Sequence, residues 1–314
     1  MRWCLLTMIL AADLPAQTAS RETTTYTYDL NGRRMPASTT QSTLGPGGGT
    51  AVERVRTVNG VVAPLESSTE RVIAQEPGRK IVERVVLKFD QEGRPAGAER
   101  HIIEDVAGAD GSVTTRVSIE DRDLNGRYMP RERSTTRSLP SGGTIRAETV
   151  IERPDLNGGY EVAEKRTTVT TGDDNNRERE VSIYRRGMNG GFSEAARERV
   201  TTKVEDGRVV TTAVEYNAAA TGKMEFAGQR ISRREKQADG SEVEVIDVYG
   251  VTATAHYSGG AAGPRLREQQ IIERKPADNS NVTETFRVRR PQTDSEKLGP
   301  AMLISEKVCT GACR

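Results

Sequence analysis

Five residues in one stretch have the types and spacing of a calcium loop. Asp121, Asp123, Asn125, Gly126 and Glu132 satisfy D-x-[DN]-x-[DN]-G-x5-E. In that pattern alternate carboxylate and amide oxygens fold round a hard cation, and the final glutamate supplies two more. The surroundings favour another use of the same letters. Strand-like alternation precedes the stretch, Pro130 stands inside it, and Arg127 puts a positive charge beside it. The related turns at Asp29 and Asp155 carry Thr27 and Arg153 where the first ligand would be. A hairpin turn is the expected role, with calcium held by Asp121, Asp123, Asn125 and Glu132 as the alternative. No other cofactor is expected.

The remaining chemistry is thinner. Cys309 and Cys313 lie in the C-terminal "CTGACR", close enough to pair as a disulfide round a small loop that Gly311 would bend, and too few for a metal site. His101 and His256 each stand alone in a strand-like segment, without the local partners of a metal site or a Ser/His/Asp triad. "GPGGGT" at 45–50 lacks the lysine of a phosphate loop. Carboxylates abound, but in "VERV", "AERH" and "RERE" they alternate with arginine, as cross-strand ladder partners do. No catalytic residue is expected.

The elements that carry these residues follow a beat. Turn signals at Asn31-Gly32, Asn59-Gly60, Glu92-Gly93, Asn125-Gly126, Asn157-Gly158, Asn189-Gly190 and Thr221-Gly222 recur about every 32 residues. A second series falls halfway between, at Gly47 to Gly49, Pro77-Gly78, Asp110-Gly111, Gly142-Gly143, Gly172 to Asn176, Asp206-Gly207 and Asp239-Gly240. Asn-Gly and Asp-Gly are strong hairpin signals because both residues tolerate the positive φ of a type I′ turn. Between turns the pattern has period two. Val113, Thr115, Val117 and Ile119 share one parity, and Thr114, Arg116, Ser118 and Glu120 the other. Such alternation predicts a strand with one buried and one solvated face. "KIVERVVLKFD" has apolar residues on both parities, which predicts a bulge or two-sided burial there.

Composition sets the limits. Hydrophobic residues make up 34% and aromatics 4% of 314 residues, poor material for a thick core. With 46 basic and 45 acidic residues finely mixed, no basic face is set aside for phosphate, and nucleic acid is not an expected partner. Arg2, the apolar run from Trp3 to Ala12 and the small residues that follow have the layout of an export signal. Residues 1–20 are therefore expected to be removed, leaving a mature chain without a transmembrane helix.

Tyr26, Tyr28, Asp29, Gly32 and Arg33 spell Y-x-Y-D-x-x-G-R, which resembles the YD or Rhs repeats of secreted bacterial and cell-surface proteins. The resemblance implies a β-hairpin array in which these five residues are structural and the repeats do no catalysis. Asp123 to Arg127 keeps D-x-x-G-R alone, and Asp155 to Gly159 lacks the arginine.

The expected fold is thus all-β: an antiparallel up-and-down meander of repeated hairpins, about 32 residues per two strands, in an open or curled sheet. β-propeller-like blades are the alternative. Residues 21–298 form the repeat domain, and 299–314 a terminal strand or tail with the cysteine pair. The expected role is a non-catalytic exported protein with a structural, adhesive or protein-binding function. Its partner would be an unknown protein or glycan, or a second copy meeting the apolar sheet face. A glycan-binding module would need exposed aromatic platforms. An outer-membrane barrel would need an apolar lipid-facing parity, which Arg and Glu interrupt.

Overall fold

The structure is a computed structural model that describes residues 20–28, 32–44, 49–58, 61–187, 189–251, 264–277, 281–292 and 297–311. Residues 1–19 of the expected export signal, Cys313, His256 and the 45–48 loop lie outside the described residues. So do Asp29 and Asn31.

The strands form hairpins in chain order. β1 (Ser20–Tyr28) pairs with β2 (Arg34–Leu44), β3 (Thr50–Val58) with β4 (Val61–Glu76), and β5 (Arg79–Phe89) with β6 (Pro95–Ala107). β7 (Val113–Arg122) and β8 (Tyr128–Ser141) follow, then β9 (Thr144–Pro154) and β10 (Tyr160–Gly172). β11 (Asn176–Arg186) pairs with β12 (Phe192–Glu205), and β13 (Arg208–Ala218) with β14 (Met224–Lys236). β15 (Glu242–Gly250) and β16 (Arg265–Pro276) precede β17 (Val282–Arg289) and β18 (Met302–Gly311).

Every strand also pairs antiparallel with the neighbour outside its hairpin, and β18 pairs with β1 from Arg21↔Gly311 to Thr27↔Ser305. The all-β, antiparallel, up-and-down expectation holds, but the sheet is neither open nor merely curled, and it is not bladed: among the described residues 18 strands close into a barrel. Closure satisfies the two edges that an open array would leave unpaired. The segment after Gly299 supplies the closing strand rather than a loose tail.

Two kinds of turn close the hairpins. On the rim of the Asn-Gly series, Asp123 N donates to Arg127 O and Gly126 N to Asp123 O, with Gly126 at φ +82° while Asn125 stays at negative φ. This is a type I turn closed by a left-handed glycine, not the expected type I′. Asp90, Asp155, Gly187 and Ala219 open turns with the same two bonds. On the other rim Gly108 and Gln237 open the same kind of turn, while Asp206 (φ 49°) and Gly207 (φ 75°) make the two-residue turn with both φ positive, as type I′ requires.

Just before the first rim each hairpin carries a bulge, for example at Ile119/Glu120, Ile183/Tyr184, Glu215/Tyr216 and Val248/Tyr249. The extra residue sharpens bend and twist at the barrel mouth. Another bulge, at Val72/Ala74 opposite Val82 and Ile81, answers the two-sided pattern of "KIVERVVLKFD".

Register and chirality decide which face looks inward. Asp123 donates toward β8, so the residues of its parity on β7, Val113, Thr115, Val117 and Ile119 among them, direct their backbone groups to β8. For L-residues seen with the side chain toward the viewer and the chain running up, those groups point right. Seen from this face, successive strands therefore run left to right, and paired residues climb toward the Asn-Gly rim by about 20 residues per circuit. A sheet with right-handed strand twist that climbs in this sense closes with that face inside. Clefts lined by Thr170, Arg179 and Thr202, and by Thr211, Arg234 and Glu244, lie on the same concave face.

A circular barrel with this strand number and stagger has a radius of about 17 Å. Side chains cannot fill such a lumen, and no described side chain is fully buried. Val82, Val86, Ile151, Val288 and Cys309 are buried on the inner face and Ala98 on the outer. The Val/Thr parity thus lines a wet lumen instead of packing a core. Order rests on the main-chain ladder and its cross-strand pairs, with Thr136–Thr149 at 2.8 Å and Arg133–Glu152 at 2.6 Å as instances.

Candidate functional site: the turn rim and the seam

The Asp-Leu-Asn-Gly sequence is explained by what its aspartate does. Asp123 Oδ1 accepts the amides of Asn125 at 2.9 Å and Arg127 at 2.8 Å. Asp155 accepts those of Asn157 and Gly159, both at 2.8 Å, and Asp90 those of Glu92 and Arg94. A carboxylate that takes two turn amides fixes the loop without help from a cation. The other expected calcium ligands point elsewhere. Asp121 pairs with Arg131 at 2.9 Å, Glu132 with Arg153 at 3.2 Å, and Asn125 is exposed at the tip. Among the described residues no group of three or more His, Cys, Asp or Glu side chains converges to hold a metal ion.

Above the turns runs a collar of aromatic side chains. Tyr26, Tyr128, Tyr160, Tyr184, Phe192 and Tyr216 all lie near this rim on outward-facing positions, half-buried beside the bulges. Cations cover several of their faces. Arg34 sits 3.6 Å from the Tyr26 centroid, Arg100 4.6 Å from Tyr128, Arg133 4.0 Å from Tyr160 and Lys165 4.7 Å from Phe192. Each pair joins one hairpin to the next or closes a single hairpin, so the collar staples neighbours together. Tyr216 meets Phe226 edge-on at 6.4 Å. The sequence carried this signal in the shared spacing of Tyr128, Tyr160 and Phe192 and of Arg100, Arg133 and Lys165, which a search for turns alone passes over.

The seam between β1 and β18 has its own latch. Glu306 accepts the Tyr28 hydroxyl at 2.7 Å through Oε2 and the Arg34 guanidinium at 2.7 Å through Oε1. Arg34 in turn covers Tyr26. The tyrosines of the one full Y-x-Y-D copy therefore sit where first and last strands meet. The hydrogen bond to Glu306 raises the Tyr28 pKa above its ordinary 10.0, with burial adding to the effect. Cys309 lies on the inner face of the same seam opposite Thr23 and is disulfide-bonded.

Electrostatics throughout favour charged, paired groups. Glu99 is lowered to about 2, chiefly by its hydrogen bond to the Lys88 ammonium, against the opposing effect of burial and with help from Arg131. Asp110 is lowered to about 2 by the hydroxyl and amide of Ser112. Glu104, Glu152, Glu194 and Glu273 are also lowered by hydrogen bonds from arginine or lysine. Such carboxylates are anions at neutral pH with their lone pairs engaged, which suits a ladder rather than proton transfer. His101 lies 3.3 Å from Glu99 on the lumen face, beside that cluster.

Comparison with protein-family models and with curated proteins returns no match.

Proposed function

We propose that the protein is an exported, non-catalytic barrel with a structural, adhesive or protein-binding role. The observation that carries this reading is that both walls of a closed barrel are polar and cross-paired. Arg116–Glu104, Arg199–Glu178 and Arg233–Asp247 lie outside, while Arg179–Glu198, Arg274–Glu284 and Lys307–Glu284 lie inside. A rigid shell without tuned acids or bases is suited to presenting its rims and walls.

A lipid-spanning barrel also has an even number of strands, and 18 of them would leave an aqueous channel. The outer wall argues against it. An arginine or lysine facing mid-bilayer costs about 2–4 kcal/mol, and Arg71, Arg100, Arg116, Arg199 and Arg233 occupy outward positions between the rims. Glycan capture on the collar is disfavoured by the cations already stacked on its rings. Fractionation of the native host with an alkaline carbonate wash tests the proposal. The mature chain is expected outside the cytoplasm and in the washed supernatant. Recovery in the cytoplasm overturns export, and retention in membranes after the wash overturns the polar-shell reading.

A further inference from the structure

We propose that the Asn-Gly rim docks on an anionic bilayer surface, with Leu124 and Leu156 entering the boundary between headgroups and acyl chains. The proposal rests on the binding role above and names its partner. Both leucines hold the second place of equivalent turns, with relative exposures of 107% and 105%, so neither packs against the protein. The turn does not ask for leucine. Its demands fall on Asp123 and Gly126, and the same place in the β5–β6 turn is Gln91. At the β3–β4 turn of the same rim, Val61 and Val62 are 67% and 64% exposed.

The spacing of these knobs selects the partner. Neighbouring hairpin tips are two strands, about 10 Å, apart. Separate apolar tips do not form the contiguous patch that a folded protein would bury, whereas a fluid acyl layer receives them one by one. Charge agrees. Arg94, Arg122, Arg127, Lys223, Arg265 and Arg267 are exposed at this rim without a carboxylate partner among the described residues, against the anions Asp90, Glu92, Asp123, Asp155 and Glu225, a small excess of positive charge. The aspartates of the turns are engaged by their own amides. Leu124, Leu156, Val61 and Val62 all lie on this rim, which sets the orientation. Behind the leucines comes the aromatic and cation collar, then the ion-paired walls, the order of polarity met on leaving a bilayer.

The test is co-sedimentation of the full chain with phosphatidylcholine vesicles with and without phosphatidylglycerol. The wild type is expected to bind the anionic vesicles and to be released by added salt. The L124S/L156S double variant should bind at least about tenfold more weakly with an unchanged melting temperature, while Ile145→Ser on the other rim binds as wild type. A wild type that stays in the supernatant, or a double variant that binds equally, overturns the proposal. So does vesicle-free self-association that the double variant abolishes, since the tips then hold a second copy. Failure here with the chain still exported removes the lipid partner alone, whereas cytoplasmic recovery in the fractionation removes the export reading.

Discussion

Replacing Glu306 with alanine removes both bonds of the seam latch at once. The Tyr28 hydroxyl donates to a carboxylate at 2.7 Å, and hydrogen bonds to charged groups contribute about 1.5–3 kcal/mol. Tyr28 is only half-buried and regains water when Glu306 is lost, which places its share near the lower limit. Arg34 is 43% exposed, so its ion pair is screened and adds about 0.2–1 kcal/mol. The expected loss is about 2 kcal/mol for Glu306→Ala and about 1 kcal/mol for Tyr28→Phe. The double variant should be no worse than Glu306→Ala, which gives a coupling of about 1 kcal/mol. Urea unfolding midpoints, followed by circular dichroism in the strand region, measure all three. A spectroscopic arm is independent of stability. Tyr28 should ionise above pH 10.0 in the wild type and at a lower pH in Glu306→Ala, as read by phenolate absorbance. Its contribution to stability is full below that pH and is lost as pH rises through the raised value. Loss under about 0.3 kcal/mol, or additive single variants, refutes the latch.

Acid should weaken the barrel over a defined window. The Glu99 pKa is depressed from 4.5 to about 2, so its contribution is complete above pH 4.5 and vanishes as pH falls toward 2. Glu104, Glu152 and Glu273 shift the same way, and a melting temperature that stays flat from pH 6 to pH 3 would contradict the ion-pair ladder. Glycine positions should separate by what a methyl group would meet. Gly158→Ala faces only its positive φ and should cost about 1 kcal/mol. Gly172→Ala would place its Cβ 1.8 Å from Asn176 O and should be several-fold worse in the same unfolding assay. Removing the Tyr160 ring with Tyr160→Leu should cost about 0.5–1 kcal/mol beyond lost area through the Arg133 stack, and a double cycle with Arg133→Ala that is additive refutes that staple.

The strands and their beat were legible because Asn-Gly and Asp-Gly punctuate period-two runs such as 113–120, and those two signals agree. Turn type was not, since Asn-Gly serves both geometries. Two places earlier an aspartate accepts two amides at Asp90, Asp123 and Asp155, but Gly187 and Ala219 open the same turn without one. Closure was hidden because the pairs across β1 and β18, such as Thr23↔Cys309 and Thr25↔Lys307, do not differ in kind from those inside a hairpin. The Asp121 to Glu132 pattern matched a cation loop by letters, yet alternation sends Asp121 to the lumen wall while Asp123 folds into the turn. Leu124 and Leu156 passed unremarked because a leucine in a repeated motif reads as packing until its exposure is known.

Joining Tyr28 to Glu306 brings together positions 278 residues apart, whereas each neighbouring hairpin closes a loop of a few residues. By the logarithmic growth of loop entropy, the junction costs about 2.5 kcal/mol more to form than a 15-residue contact. The ring should therefore assemble as a growing ribbon that welds last, and part first under load, along this one line. Until the weld, both ribbon ends offer unpaired backbone to any passing chain. Joining residues 20 and 311 through a short linker and cutting at another hairpin would relocate the weld without altering a single pair of the finished ring.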